Sequence, residues 1–177
     1  MQLGYFNYPS PVNEPVLSYA PGSPEKKALK EALASLKKKS LDIPMYINGK
    51  AVRTGKTKSI HPPHETKHVL GQFHIGTKLH VEKAIESALK VRENWSNMTW
   101  ETRAHIFLKA AELLATKYRF EMNASTMLGQ SKNVYQAEID AACELIDFLR
   151  FNVHFLSQIY QQQPISSPGI HNRMEWR

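Results

Sequence analysis

A chain of 177 residues with 42% hydrophobic and 10% aromatic content can bury one sizeable core, which excludes a disordered or fibrous polypeptide, and no run of eighteen apolar residues offers a membrane span. The one cysteine, Cys143, excludes an internal disulfide framework and a cysteine-rich zinc site, and suits a reducing compartment. The net charge of +7 is local, since residues 25–58 carry ten basic side chains against Glu25, Glu31 and Asp42 while the remainder balances; it reads as a solvated face in preference to a nucleic-acid surface.

Residues 1–21 contain Pro9, Pro11, Pro15 and Pro21 with no Lys or Arg, so they read as an extended arm and not as an Arg-rich transit peptide. Ser23, Pro24 and Glu25 then start a helix: a hydroxyl cap, proline at the first position and a carboxylate at the positive helix end. Its apolar stripe is Ala28, Leu29, Ala32, Leu33 and Leu36. Met45 to Ile47 and Ala51-Val52 flank Asn48-Gly49, a pair able to take positive φ at both centres of a type I′ turn, which predicts a β-hairpin. Ser59 to His61 and His68 to His74 are two further extended segments around Pro62-Pro63. Those prolines keep His61, His64 and His68 off a common helix face, so no metal site is assigned to them.

Thr77 caps a predicted helix reaching about Trp95, with Val81, Ala84, Ile85, Ala88, Leu89 and Trp95 inward. Thr99 caps the next, with Arg103, Ala104, Ile106, Phe107, Ala110, Leu113 and Leu114 at helical spacing. A shorter helix carries Phe120, Ala124, Met127 and Leu128, and Gly129 suits the left-handed position that ends it.

From Gly129 to Gln161 nothing interrupts a helix of about thirty residues, roughly 45 Å long. Val134, Ala137, Ala141, Leu145, Phe148, Phe155 and Ile159 lie beside Ile139, Ala142, Ile146, Leu149, Val153 and Leu156 in one broad apolar arc, which needs cover from more than one side. Opposite lie Gln136, Asp140, Asp147, Arg150, His154 and Gln158, with Asp147 and Arg150 expected to form no more than a solvated pair. Glu138 and Asn152 project into the arc, so each requires a partner. Glu144 lies at its edge, where a carboxylate can meet both protein and a wet cleft. Cys143, mid-helix with no cation nearby in sequence, reads as a packed, inert thiol. Residues 163–169 are a proline-containing exit, and residues 174–177 read as the start of a strand.

The chain contains no GxGxxG, GxxxxGK[ST] or GxSxG, and the GQSK at Gly129 has no strand before it, so neither a catalytic nor a cofactor-binding residue is assigned. The blocks NEPVL (Asn13 to Leu17), GSPEKKALKEAL (Gly22 to Leu33), RAHIFLKAAELL (Arg103 to Leu114), GQSK (Gly129 to Lys132), AEIDAACELIDFLRFN (Ala137 to Asn152) and QQQPIS (Gln161 to Ser166) resemble the start of the 1-pyrroline-5-carboxylate dehydrogenases of the aldehyde dehydrogenase superfamily. The resemblance implies an α/β fold: residues 1–21 as an N-terminal arm and residues 22–177 as the mostly helical first part of a NAD-binding domain with a β-hairpin and short strands, truncated before the catalytic domain. It further implies NAD-dependent oxidation of L-glutamate γ-semialdehyde to glutamate in proline breakdown, in the mitochondrial matrix and in a homo-oligomer when full length. NAD, the nucleophile and the base would belong to segments absent here, so this chain by itself is expected to be inactive. Cys143 does not match the family's catalytic cysteine motif. Glu144 does match a family glutamate beside the aldehyde pocket, which implies that it binds substrate. Ser131 stands where the family has glycine. A non-catalytic helical adaptor and a basic binding module are the alternatives.

Overall fold

A computed structural model describes residues 8–176. Helix α1 (Pro24–Lys38) begins as the sequence requires, with Ser23 Oγ accepting from the Lys26 N–H at 3.3 Å and Leu29 and Leu36 buried. It is followed by the short strands β1 (Leu41–Ile43), β2 (Met45–Ile47), β3 (Lys50–Val52), β4 (Thr57–Ile60) and β5 (Gly71–His74). The hairpin β2–β3 turns through Asn48 (φ 55°) and Gly49 (φ 69°), the two positive values of a type I′ turn. The other strands form a sheet in the order β1-β5-β4, in which β1 runs parallel to β5. Gly71 faces Leu41 so closely that a β-carbon there would lie 2.3 Å from the Leu41 carbonyl oxygen, a position only glycine can fill.

The helical layer comprises α2 (Lys78–Asn97), α3 (Trp100–Ala115), α4 (Arg119–Gln130), α5 (Val134–Ala137), a π turn (Glu138–Cys143) and α6 (Glu144–Gln161). One core lies between α1 and α4, where Tyr19, Leu29, Leu36, Leu70, Ala124 and Leu128 meet. Others lie along α3 and the final helix: Trp100 and Ala104 against Val153, and Ala111 against Ala142 and Ile146. No helix among the described residues is long and apolar enough to cross a membrane.

Several expectations are corrected. The long helix starts at Val134, not Gly129: Gly129 sits inside α4, and Ser131 takes the left-handed conformation (φ 57°, ψ 26°) that separates the two helices. A new helix then begins with reciprocal capping, Asn133 Oδ1 accepting from the Gln136 N–H at 2.9 Å and Gln136 Oε1 from the Asn133 N–H at 3.0 Å. The stripe on α2 does not face inward. No residue of that helix is buried, and Val81, Ile85 and Leu89 are 54–60% exposed. Helical periodicity identifies an apolar face but not what covers it. Ile106 and Phe107 on α3 are also exposed, whereas Ala104 and Ala111 pack. Asn152 is exposed and needs no buried partner, and residues 174–176 form no strand; Arg177 lies outside the described residues. Instead, Gln163 mimics a strand neighbour, its amide bonding the Met174 N–H at 2.9 Å and the Met174 carbonyl at 3.3 Å.

The broad arc divides. Ala142, Ile146 and Val153 are buried, while Leu145, Phe148, Phe155 and Ile159 stay exposed. The expectation that the preceding residues do not cover all of it therefore holds for one half.

Candidate functional site

The residues from Ala137 to Arg150 bring together a sealed polar cluster and an open carboxylate. Glu138 is completely buried, and each of its oxygens is satisfied. Oε1 accepts from the Leu17 backbone N–H at 2.9 Å and from Arg119, which also donates through Nε at 3.2 Å; Oε2 accepts from Tyr19 Oη at 2.6 Å and Asn123 Nδ2 at 2.7 Å. Arg119, 4% exposed, spreads the rest of its guanidinium over Glu14 Oε1, the Pro15 carbonyl (2.7 Å) and Cys143 Sγ (3.5 Å). Burial alone would raise the Glu138 carboxyl, but Arg119, Tyr19 and the two amide donors outweigh it and hold the pKa below the ordinary value. Burial likewise opposes the Arg119 charge, and Glu138 and Glu14 overcome it.

The arm reaches this cluster by running along the polar strip of the last helix. Asp147 and Arg150, expected to form a solvated pair, instead bind the arm: Asp147 accepts from Asn13 Nδ2 and the Glu14 N–H, each at 2.7 Å, and Arg150 Nη1 donates to Glu14 Oε2 at 2.6 Å. At these two positions the strip's polar side chains satisfy an extended segment, Asp147 taking one of its free backbone N–H groups. Glu138's demand for a partner was legible in sequence. Its partners were not, because Tyr19 and Arg119 lie 119 and 19 residues away and no local pattern joins them.

Glu144 follows the π turn on the exposed side, and its own backbone N–H bonds back five residues to the Ile139 carbonyl. Near it stands the open half of the apolar arc, including Leu145 and Phe148. Cys143 faces the other way, 5% exposed, with burial first and the Glu138 charge second pushing its thiol up to about 11. A thiol that is neutral at pH 7 is a poor nucleophile, which supports its role as packing. The cluster can hold an arm and orient a helix; among the described residues it presents no activated nucleophile.

The histidines that invited a metal reading have separate partners: His61 Nδ1 meets the His68 carbonyl at 2.9 Å, and His64 Nδ1 meets Ser131 Oγ at 2.7 Å. A cleft of about 890 Å³ lies between Trp95, Trp100, Arg103 and the 173–176 segment, remote in sequence from Glu144. A dinucleotide pyrophosphate needs free N–H groups at a helix start after a strand. The helix after GQSK begins with its Asn133 and Gln136 N–H groups paired to each other's side chains, and helix α4, not a strand, precedes it.

Residues 50–176 match the aldehyde dehydrogenase family. The chain belongs to that family. It is 48% identical to a delta-1-pyrroline-5-carboxylate dehydrogenase of Agaricus bisporus, over 99% of this chain and 33% of the relative, and 44% identical to the human mitochondrial delta-1-pyrroline-5-carboxylate dehydrogenase, over 93% and 29%. The solved structure of the Mycobacterium tuberculosis delta-pyrroline-5-carboxylate dehydrogenase bound with NAD superposes with a TM-score of 0.93 at 47% identity, covering 96% of this chain and 32% of that one. This aldehyde dehydrogenase chain thus spans about a third of the length of these relatives. The α/β assignment and the resemblance read from the AEIDAACELIDFLRFN block hold.

Proposed function

We propose that this chain is the amino-terminal portion of an enzyme that oxidises L-glutamate γ-semialdehyde to glutamate in proline breakdown, with NAD as the hydride acceptor. The observation that carries the reading is 48% identity, sustained over 99% of this chain, to a protein named for delta-1-pyrroline-5-carboxylate. Residues 1–21 serve as an arm, and residues 22–177 as the first part of the NAD-binding domain. The nucleophile, the base and the groups that hold NAD belong to other segments of the enzyme, and the chain alone is inactive. The full enzyme is a homo-oligomer of the mitochondrial matrix, a placement supported by the mitochondrial names of several relatives.

Glu144 binds substrate. Its carboxylate, exposed beside Leu145 and Phe148, attracts the α-amino group of the semialdehyde and orients the aldehyde end. A hydrogen bond to a charged group contributes about 1.5–3 kcal/mol, so Glu144→Ala in the full-length enzyme is expected to lower kcat/KM for the semialdehyde roughly ten- to a hundredfold, chiefly through KM. An unchanged KM would overturn that role. NADH production from glutamate semialdehyde by the full-length enzyme, and none by the 177-residue chain, tests the wider reading; a full-length enzyme inactive on this aldehyde would refute it.

A further inference from the structure

The π turn between Glu138 and Cys143 inserts an extra residue immediately before Glu144. In an α-helix, residues five apart lie about 140° from each other around the axis, since each residue advances 100°. Here Glu138 and Cys143, five apart, face the same side, with Cys143 Sγ 3.8 Å from Glu138 Oε1 and one nitrogen of Arg119 touching both. The last π hydrogen bond is made by Glu144 itself, from its N–H to the Ile139 carbonyl.

We propose that Arg119 is a positioning residue: by bridging Glu138 and Cys143 across the π turn, it sets the rotational register in which Glu144 is presented to substrate. This rests on the reading of Glu144 as the partner of the substrate's amino group. The physical reason is a competition between two fixed points. Beyond the turn, Ile146 and Val153 are locked against α3; before it, Ala137 is buried and Asn133 caps the helix. Should the turn relax to α-helix, its i→i+4 bonding would carry the following residues about 100° out of register. The packed ends resist that rotation, so the mismatch falls on the segment between them, which ends at Glu144. The guanidinium fork keeps the π form by satisfying a carboxylate and a thiol that only this form places side by side. A lysine keeps the charge but has one nitrogen, which cannot hold Glu138 and Cys143 while the arm's Glu14 and Pro15 carbonyl are held as well.

The test uses the full-length enzyme and two aldehydes, glutamate semialdehyde and 5-oxopentanoate, which has the same aldehyde and distal carboxylate but no amino group. The ratio of their kcat/KM values reports the contact with the amino group. Arg119→Lys is expected to lower that ratio roughly tenfold, as Glu144→Ala does, through a raised KM for glutamate semialdehyde and with little change on 5-oxopentanoate. A purely structural role would weaken both substrates together and leave the ratio intact, which overturns the proposal. A ratio that collapses in Glu144→Ala but survives in Arg119→Lys overturns it also, while leaving the reading of Glu144 standing. A ratio unchanged in Glu144→Ala refutes that reading and the register role with it. Should Arg119→Lys not fold, Cys143→Ala, which takes away only the thiol end of the bridge, is expected to move the ratio in the same direction, and an unmoved ratio there overturns the proposal.

Discussion

Around the π turn, Arg119, Asn123 and Glu138 lie out of water; along α2, Val81, Ile85 and Leu89 lie in it. The difference teaches that polarity alone does not place a residue in this chain. A buried carboxylate is stable where a fork of donors and an arm's backbone N–H replace its water, as Arg119, Tyr19, Asn123 and Leu17 do for Glu138. An apolar stripe stays wet where no neighbour presents a matching surface. Helix α2 has its cap, Thr77 N–H donating to His80 Nδ1 at 3.0 Å, and its period, but none of its side chains is buried.

The largest effect is expected from breaking the polar side of this contrast. Arg119→Ala leaves Glu138 buried without its cation and is expected to cost about 3–5 kcal/mol in chemical denaturation, because the loss of one partner strands the other. A cost below about 1 kcal/mol would show the cluster to be as wet as α2. The same contrast has a pH signature. Glu138's folded pKa lies below its reference value of 4.5, so its contribution is complete above about pH 4.5 and is lost as pH falls through the lower folded value. Glu138→Gln is therefore expected to flatten the fall in stability on the acid side of pH 4.5, read as the slope of unfolding free energy against pH.

Between these extremes lies the apolar core, where size matters more than charge. Ile146, fully buried against Ala111 and Ala142, is expected to cost about 2–5 kcal/mol when cut to Ala, through lost transfer energy and the cavity left behind. Thermal denaturation at neutral pH checks it.

Local chemistry in the sequence foretold the parts of the fold that local chemistry decides. Ser23 with Pro24, Asn48 with Gly49, and Thr99 each act within a few residues of themselves, and each does what its side chain dictates. The parallel pairing of β1 with β5 joins residues 30 apart through backbone alone, and its only trace in sequence is Gly71, whose need to be glycine appears once Leu41 is opposite. At the site, Glu138's misplacement in an apolar arc was a usable signal, and the edge position of Glu144 agrees with its exposure. The π turn was not readable, because it is stabilised by Arg119 from another helix and by an arm more than 100 residues upstream. Gly129 was the natural helix terminator by residue type, yet the chain passes it as helix and turns at Ser131.

That turn offers a smaller effect. A residue with a β-carbon in the left-handed region carries a cost of roughly 1–2 kcal/mol that glycine does not, offset in part by glycine's greater unfolded entropy and here by the lost contact of Ser131 Oγ with His64. Ser131→Gly is expected to raise stability by about 0.5–1 kcal/mol, seen as a higher denaturation midpoint with an unchanged slope. A loss of stability would mean that the His64 contact outweighs the backbone strain.

The smallest effect belongs to the exposed helix. Ile85, 54% exposed on α2, is expected to change stability by no more than about 0.5 kcal/mol on substitution by Ala in dilute chain, since little of it leaves water on folding. The uncovered stripe, together with Phe148, Phe155 and Ile159 on α6, presents large apolar side chains to water, so the chain alone is expected to self-associate as its concentration rises. Sedimentation of the wild type and of Ile85→Ala over a range of concentrations separates the two ideas. An Ile85→Ala penalty that appears only at high concentration, alongside larger species, places α2 in the contact between copies; a penalty near 2 kcal/mol in a strictly monomeric sample would mean that the stripe is covered within one chain and that the contrast with the Arg119 cluster does not hold.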